Sequence, residues 1–256
     1  MAFSYLFAGF NLVMEMTFDQ NLYINPKFIK SLYGGIEGKI TTREVYAVDI
    51  KIKLVESEKE RLQIYKFRYK IYVEELELNQ FDNKQQILRD DLDDHSIISA
   101  AYDGELLVGT CRFNMAKDGP IQYEKEAKIL ELYSKFYPQS ISTSSMFMVL
   151  PAYRSSTVAL QLAKNNYRLG LENDILFDFI FTSKYHLDYY RRLGYKTYTD
   201  QFNTTNFTEK YREVWPMVFE VQNLEYIRDI NSPFRSMLQE HLSGNNGSLS
   251  EYLSFR

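Results

Sequence analysis

The sequence predicts an α/β fold in which helices cover both faces of one mixed sheet. Three observations lead to this prediction. Apolar runs typical of strands interleave with amphipathic runs typical of helices. The turn signal Asp103-Gly104 lies between two apolar runs, Ile97 to Tyr102 and Leu106 to Phe113, and predicts a hairpin. The stretch from Ser145 to Tyr195 has the order strand, turn, helix, strand and short helix.

The elements before the hairpin can be assigned in order. Val45 to Val55 alternates apolar and polar residues, which predicts a strand. Ser57, followed three positions later by Glu60, has the capping-box pattern and predicts the start of a helix that ends near Glu75. The polar, acidic segment from Phe81 to Asp94 predicts a loop.

The segments after the hairpin predict further helices, one of which is interrupted, and further strands. Ile129 to Phe136 predicts a helix, and Glu225 to His241 predicts a helix that Pro233 interrupts. The remaining predicted elements are a strand at Met146 to Leu150, a helix from Val158 to about Leu171, and strands at Ile175 to Phe181, Lys196 to Tyr198 and Val214 to Val221.

Length and composition limit the domain organisation and the class of function. The 256 residues predict an N-terminal extension over 1–44, packed on a main domain over 45–222, and a helical tail over 223–256. A net charge of −4 gives no basic field for nucleic acid. Cys111 is the only cysteine, which fits a reducing compartment. We find no signal peptide or membrane span, and expect a cytoplasmic protein without a metal.

The turn at Arg154 joins a predicted strand to a predicted helix. The first N–H groups of a helix are unpaired and carry the positive end of its dipole, so such a turn can bind an anion. Arg154 adds a positive charge, and Ser155, Ser156 and Thr157 can donate hydroxyl hydrogen bonds. The turn therefore predicts a phosphate site. The alternative is that a serine only caps the helix and Arg154 is solvated.

Tyr190 follows a predicted buried strand and lies in a short helix that Gly194 ends. If this strand and the strand from Met146 to Leu150 are neighbours, Tyr190 would point into the gap where they diverge. A tyrosine in that position could protonate a departing thiolate. The alternative is a core tyrosine whose hydroxyl is satisfied, which is the commoner case in a chain with 21 tyrosines.

The acidic cluster Asp90-Asp91-Leu92-Asp93-Asp94-His95 precedes the hairpin. Its carboxylates could bind a substrate amine or remove its proton, or they could belong to a solvated loop. Arg68 and Arg112 are single cations within apolar runs. Because a buried arginine usually pairs with a carboxylate, both are candidates for anchoring this acidic loop.

At this point the residues resemble the GNAT acyltransferase superfamily. Val149-Leu150-Pro151-Ala152-Tyr153-Arg154 is similar to the end of its fourth strand, and residues 154–159 resemble its cofactor loop, with Thr157 at the position of the central glycine. Tyr190-Arg191-Arg192-Leu193-Gly194-Tyr195 resembles a segment whose tyrosine often serves as general acid. The resemblance implies a mostly antiparallel sheet that is splayed between strands four and five.

A narrower resemblance covers the residues before the hairpin. Arg68-Tyr69-Lys70-Ile71-Tyr72, with the later Asp91, Asp94 and Arg112, is similar to the acyl-homoserine-lactone synthases and the N-acyl amino acid synthases. The lactone synthases carry a Glu-x-x-Arg pair on the fourth strand, where this chain has Thr143 and Met146. This difference favours an N-acyl amino acid synthase or another GNAT enzyme over lactone synthesis.

The resemblance implies direct transfer of an acyl group from a pantetheine thioester, carried by acyl carrier protein or coenzyme A, to a small amine. It implies Tyr190 as general acid and Asp91, Asp94 or Glu75 as candidate bases, with an oxyanion held near Phe147 to Val149. Phe113, Phe147 and Phe179 are candidates for an acyl tunnel.

The implied donor-binding residues are Met148, Val149, Arg154, Ser155, Ser156, Thr157, Val158 and Ala159, and the implied substrate-binding residues are Arg68, Tyr72, Arg112 and Phe147. An acetyl-CoA-dependent acetyltransferase and a non-catalytic binding protein are the alternatives.

Overall fold

A computed structural model describes residues 49–154, 156–204 and 212–244 of the chain. The predicted extension over 1–44 and the end of the predicted tail therefore lie outside the described residues. Eight strands are described: β1 Ile50–Leu54, β2 Ile97–Asp103, β3 Leu106–Met115, β4 Ile141–Val149, β5 Phe177–Thr182, β6 Lys196–Thr197, β7 Phe202–Asn203 and β8 Glu213–Glu220. The helices are α1 Glu58–Tyr69, α2 Ile129–Leu132, α3 Val158–Glu172, α4 Leu187–Leu193, α5 Leu224–Asp229 and α6 Arg235–Gly244.

The strands form one sheet in the order β1-β2-β3-β4-β5-β8-β6, and β7 pairs separately with β8. Every pairing is antiparallel except that of β4 with β5, which is parallel. This confirms the predicted mixed, mostly antiparallel sheet. The predicted hairpin is confirmed as β2 and β3, with Gly104 at a φ of 57° in its turn.

Helices lie on both faces of the sheet, as neighbouring residues of β3 show. The side chain of Cys111 faces α3, where it accepts a hydrogen bond from Asn166. Arg112 faces the opposite side, where its carboxylate partner Asp93 also binds Arg68 of α1. α3 approaches the sheet closely at Gly109, where an added Cβ would lie 3.0 Å from side-chain atoms of Leu162 and Val158. A larger residue there would push the helix away.

Local sequence explains where the first helix starts and how it ends. Ser57 and Glu60 form the complete predicted capping box at the start of α1. The helix continues after Tyr69 as a π-helix over Lys70–Glu75, so its predicted end near Glu75 is confirmed. π-Helical segments often occur at functional sites, and this one carries both Tyr72 and Glu75.

Two predicted elements have different bounds in the structure. β4 begins at Ile141, five residues before the predicted start, because the hydroxyl residues that precede Met146 are buried strand residues rather than a loop. Ser142 donates to Asp178, and Ser145 accepts from Arg112, so these two buried hydroxyls are satisfied inside the sheet. The helix predicted over Ile129 to Phe136 is a single turn, α2, and the chain continues in turns toward Pro138.

The C-terminal helices pack on the main domain. The predicted interruption at Pro233 is confirmed, because α5 ends at Asp229 and α6 begins at Arg235. Between them, the ring of Phe234 stacks on Tyr167 of α3 with centroids 4.5 Å apart. This contact places the segment before α6 in the core, against the helix that follows β4.

Candidate active site

β4 and β5 are paired over only three residues and then diverge. Their parallel register joins Ile141–Thr143 to Phe177–Phe179, and no pairing continues beyond it. The gap that opens toward the ends of the two strands is the splay that the resemblance implied. Any group bound between the strands must lie in this gap.

β4 carries a bulge beside the gap. Thr110 of β3 pairs with Met148 while Arg112 pairs with Ser145, so β4 has one extra residue, and Met146 adopts a φ of 49°. After the bulge, the N–H of Leu150 donates to the carbonyl of Val108 in β3 at 2.8 Å. Because the N–H groups of a strand alternate in direction, that of Val149 points away from β3, toward the gap.

A cavity lies at the gap, between the sheet and α3. Most of its wall is apolar, and it extends from Phe147 in β4 to Phe234 before α6. Of the three phenylalanines predicted to line an acyl tunnel, Phe113 and Phe147 line this cavity. Phe179 does not, because its ring packs on Tyr133 and Tyr198, with centroids 4.9 and 5.2 Å away.

Tyr190 of α4 lines the same cavity. Its side chain is buried, and its hydroxyl has no hydrogen-bond partner among the described residues. Burial, with smaller contributions from Tyr189, Cys111, Asp178 and Tyr72, raises the pKa of Tyr190 well above its usual value. The phenol is therefore protonated at neutral pH and can donate to a group in the cavity.

Gly194 fixes the end of the helix that carries Tyr190. It has a φ of 120°, and a Cβ at this position would lie 2.7 Å from Cε2 of Phe219. A residue with a Cβ would be strained at this φ and would clash with Phe219, so only glycine fits here. α4 therefore ends at Gly194, and the chain turns to Tyr195. The ring of Tyr195 meets that of Tyr190 edge to face, with centroids 5.6 Å apart.

Asp178 of β5 is a site residue that sequence reasoning missed. It lines the cavity and lies opposite Ser142, in the middle of the three-residue pairing of β4 with β5. It accepts hydrogen bonds from Ser142 at 2.7 Å and from Tyr195 at 2.5 Å. Burial raises its pKa to about 6, although these hydroxyl donors lower it. Its position within an apolar run, like those of Arg68 and Arg112, was the signal that could have revealed it.

The predicted donor loop begins at Arg154, which is held from two sides. Its Nη2 lies 2.5 Å from Oε1 of Glu75, and its Nε donates to the carbonyl of Val149 at 3.0 Å. Burial raises the pKa of Glu75, and Arg154 partly offsets this effect. The structure thus brings together a predicted donor-binding residue and a predicted base, and ties both to the end of β4.

The remaining donor-loop residues form the start of α3. Ser156 donates to the carbonyl of Tyr153 at 2.6 Å and accepts from the N–H of Val158 at 3.3 Å. Thr157 is exposed with a φ of −79°, so this backbone does not require the glycine that usually stands there. Met148, Val149, Val158 and Ala159 are buried, and Ser155 lies outside the described residues.

The acidic loop is anchored by two fully buried arginines. Arg68 binds both oxygens of Asp93, at 2.8 and 2.9 Å, and Arg112 binds Asp90 and Asp93. Burial alone would raise the pKa of Asp93, but Arg68 and Arg112 outweigh it and lower the pKa to about 2. Both arginines thus bind carboxylates of the acidic loop, and neither lines the cavity, so their predicted role in binding the substrate stays a prediction.

The acidic residues that were predicted to act as bases lie elsewhere on this loop. Asp91 and Asp94 are exposed, and Asp94 pairs with Arg89 at 2.6 Å. Neither lines the cavity. Tyr72 lies in the π-helix, is buried, and packs edge to face on Phe81 with centroids 5.8 Å apart.

The separated strands, the bulge and the phenol beside the gap define a GNAT-type N-acyltransferase. The model of the N-acyl amino acid synthase FeeM matches residues 63–211, which is more than half of the chain. The chain therefore belongs to the FeeM N-acyl amino acid synthase family, and it is an enzyme that transfers acyl groups. No curated protein sequence matches it.

Solved structures with the same fold include three acyltransferases. FeeM, an N-acyl amino acid synthase from uncultured soil microbes, is 12% identical with a TM-score of 0.53, and the match covers 75% of this chain and 99% of that chain. The CoA-dependent acyl-homoserine lactone synthase MesI is 20% identical, TM-score 0.53, covering 74% and 95%. The lactone synthase LasI is 16% identical, TM-score 0.55, covering 72% and 95%. Among the described residues, no helix is long and apolar enough to cross a membrane.

Proposed function

We propose that this enzyme moves a long acyl chain from the pantetheine of an acyl carrier protein to the amine of an amino acid. The observation that carries the proposal is the apolar cavity beside the gap, with the unpartnered phenol of Tyr190 in its wall. The family match supports the amino-acid acceptor, because its model is that of an N-acyl amino acid synthase.

The apolar wall of the cavity supports a long acyl group. It reaches from Phe147 and Phe113 of the sheet, past Tyr167 of α3, to Phe234. An acyl chain in contact with this wall would gain hydrophobic stabilisation in proportion to the apolar area that it covers, and a long chain covers more of it than an acetyl group.

The pairing within the donor loop supports acyl carrier protein as the carrier of the acyl chain. Arg154 is already paired with Glu75, so less of its positive charge is available to the pyrophosphate of coenzyme A. The Thr157 side chain also occupies the position where a glycine would let a pyrophosphate approach the backbone closely. Pantetheine on a carrier protein has a single phosphodiester, and this loop suits it better.

The chemical steps use groups that face the gap. The amine nitrogen attacks the thioester carbonyl carbon, and the carbonyl electron pair moves to oxygen. The N–H of Val149 points toward the gap and would stabilise this oxyanion. As the carbon–sulfur bond breaks, Tyr190 gives its proton to the sulfur, and the amide and the free thiol leave.

The amine must also lose a proton. Of the three predicted carboxylates, Glu75 suits this role best, because it lies at the donor loop and burial raises its pKa. Asp91 and Asp94 face solvent and lie away from the cavity. We therefore assign the proton to Glu75 or to a water bound beside it.

Lipid extracts of expressing cells test the proposed products by mass spectrometry. New N-acyl amino acids with long chains, strongly reduced in cells that express Tyr190→Phe, are the expected result. Acetylated amines formed with consumption of acetyl-CoA would instead establish the acetyltransferase alternative. Clean extracts, together with no calorimetric binding of coenzyme A or acyl carrier protein, would leave only the binding-protein alternative and overturn the proposal.

A further inference from the structure

The wall of the cavity contains a polar group that packing does not require. Asn166 of α3 lines the cavity beside Cys111 of β3 and Ser144 of β4. Its neighbours on the same helix face, Ala163 and Gly170, are small and leave space in front of the sheet. An apolar side chain would suit this position, so the asparagine needs an explanation.

The described residues satisfy only half of the Asn166 amide. Its Nδ2 donates to Sγ of Cys111 at 3.0 Å and to Oγ of Ser144 at 3.1 Å. Its Oδ1 is buried and has no hydrogen-bond partner among the described residues. The two Nδ2 contacts fix the plane of the amide, so Oδ1 is a positioned acceptor. Leaving such an acceptor unpaired is costly, and a ligand that donates to it would recover that cost.

The preceding residue shows that the helix can satisfy a buried asparagine completely. Nδ2 of Asn165 donates to Ser99 at 2.8 Å, and its Oδ1 accepts from Arg168 at 2.8 Å. Asn165 is buried to a similar extent, but it does not line the cavity. The unpaired oxygen is therefore a feature of the cavity and not of asparagines on this helix.

We infer that the cavity binds an acyl chain that carries a hydroxyl group, which donates its hydrogen bond to Oδ1 of Asn166. This inference rests on the proposed function, because it treats the cavity as the acyl site. A hydroxyl can donate to the fixed carbonyl, whereas a keto group cannot and a methylene leaves the oxygen unpaired. Sites built to bond a substrate hydroxyl discriminate strongly against chains that lack it.

The test uses acyl-pantetheine thioesters of matched length that are unsubstituted, keto-substituted or hydroxylated at successive carbons. With the full-length protein and a mixture of amino acids, thiol release and product mass give kcat/KM for each donor. We expect one hydroxylated chain to be preferred by about tenfold, the value of one recovered buried hydrogen bond. Equal rates, or preference for the unsubstituted or keto chain, would overturn the inference and would indicate that water satisfies Asn166.

Two variants test whether Asn166 sets the preference for the hydroxylated chain, and one binding measurement separates this preference from acyl transfer. Asn166→Leu should abolish the preference for the hydroxylated chain and favour the unsubstituted one. Asn165→Leu, which removes a fully bonded amide from the same helix, should keep the wild-type preference. Calorimetry with the same thioesters and no acceptor measures the preference without transfer. Tighter binding of a hydroxylated chain without any transfer would refute the proposed function alone, and equal binding of all chains would refute this inference alone.

Discussion

The buried carboxylate of Asp178 should make the protein less stable at neutral than at mildly acidic pH. Burial raises its pKa from an ordinary 3.8 to about 6, so the folded state binds this proton more tightly than the unfolded state. A rise of about 2 in pKa corresponds to about 3 kcal/mol. This loss of stability is absent below the pKa that Asp178 has in the unfolded chain, and it is complete above the pKa that Asp178 has in the folded protein. About 2 kcal/mol of the loss develops between about pH 4.5 and about pH 7.

Asp178→Asn isolates this contribution, because asparagine has the same shape and does not ionise. Urea unfolding followed by the fluorescence of Trp215, the single tryptophan, gives the free energy of unfolding of both proteins at each pH. The stability of Asp178→Asn relative to wild type should rise by about 2 kcal/mol between about pH 4.5 and about pH 7. Asp118→Asn removes the same charge from an exposed site and should show no such trend. A flat or falling difference for Asp178→Asn would refute a carboxylate buried at the strand gap.

Three further predictions follow from the site. Tyr190→Phe should lower turnover by roughly ten- to a thousandfold without unfolding the protein, because a general acid is lost; steady-state kinetics measure this, and unchanged turnover excludes the role. Arg154→Ala should raise the donor KM more than it lowers kcat, because the loop loses its tie to Val149; an unchanged donor KM counts against the donor loop. Arg112→Met should lower the free energy of unfolding, measured with urea, by about 3–5 kcal/mol, because Asp90 and Asp93 lose a buried cation. Arg89→Met, which breaks an ion pair on the surface, should lower it by less than about 1 kcal/mol. Equal losses in the two variants would contradict a buried ion-pair cluster.

Local signals in the sequence predicted much of the fold. The capping box of Ser57 and Glu60, the Asp103-Gly104 turn and the break at Pro233 each depend on a few adjacent residues, and all three are confirmed. The start of β4 was missed because Ser142 to Ser145 resemble a polar loop. The hydroxyls of its three serines are hydrogen-bonded to Asp178, Arg112 and Asn166, which are distant in sequence.

The site was harder to predict because its groups meet only in three dimensions. Asp90 and Asp93 have the same spacing as Asp91 and Asp94, so the sequence could not indicate which pair turns inward. The short helix Asp91–Asp93 and its capping residue Asp90 decide this, and they direct Asp90 and Asp93 toward the arginines. The pairing of Glu75 with Arg154 likewise joins two segments that no local pattern connects.

Product formation from an acyl carrier protein by the purified protein tests the central claim most directly. The reaction contains the full chain, carrier protein loaded with a long acyl chain, and a mixture of amino acids, and mass spectrometry follows both products. We predict that one N-acyl amino acid forms for each carrier thiol released. Thiol release without an N-acyl product, or no release under conditions where acetyl-CoA is consumed, would contradict it.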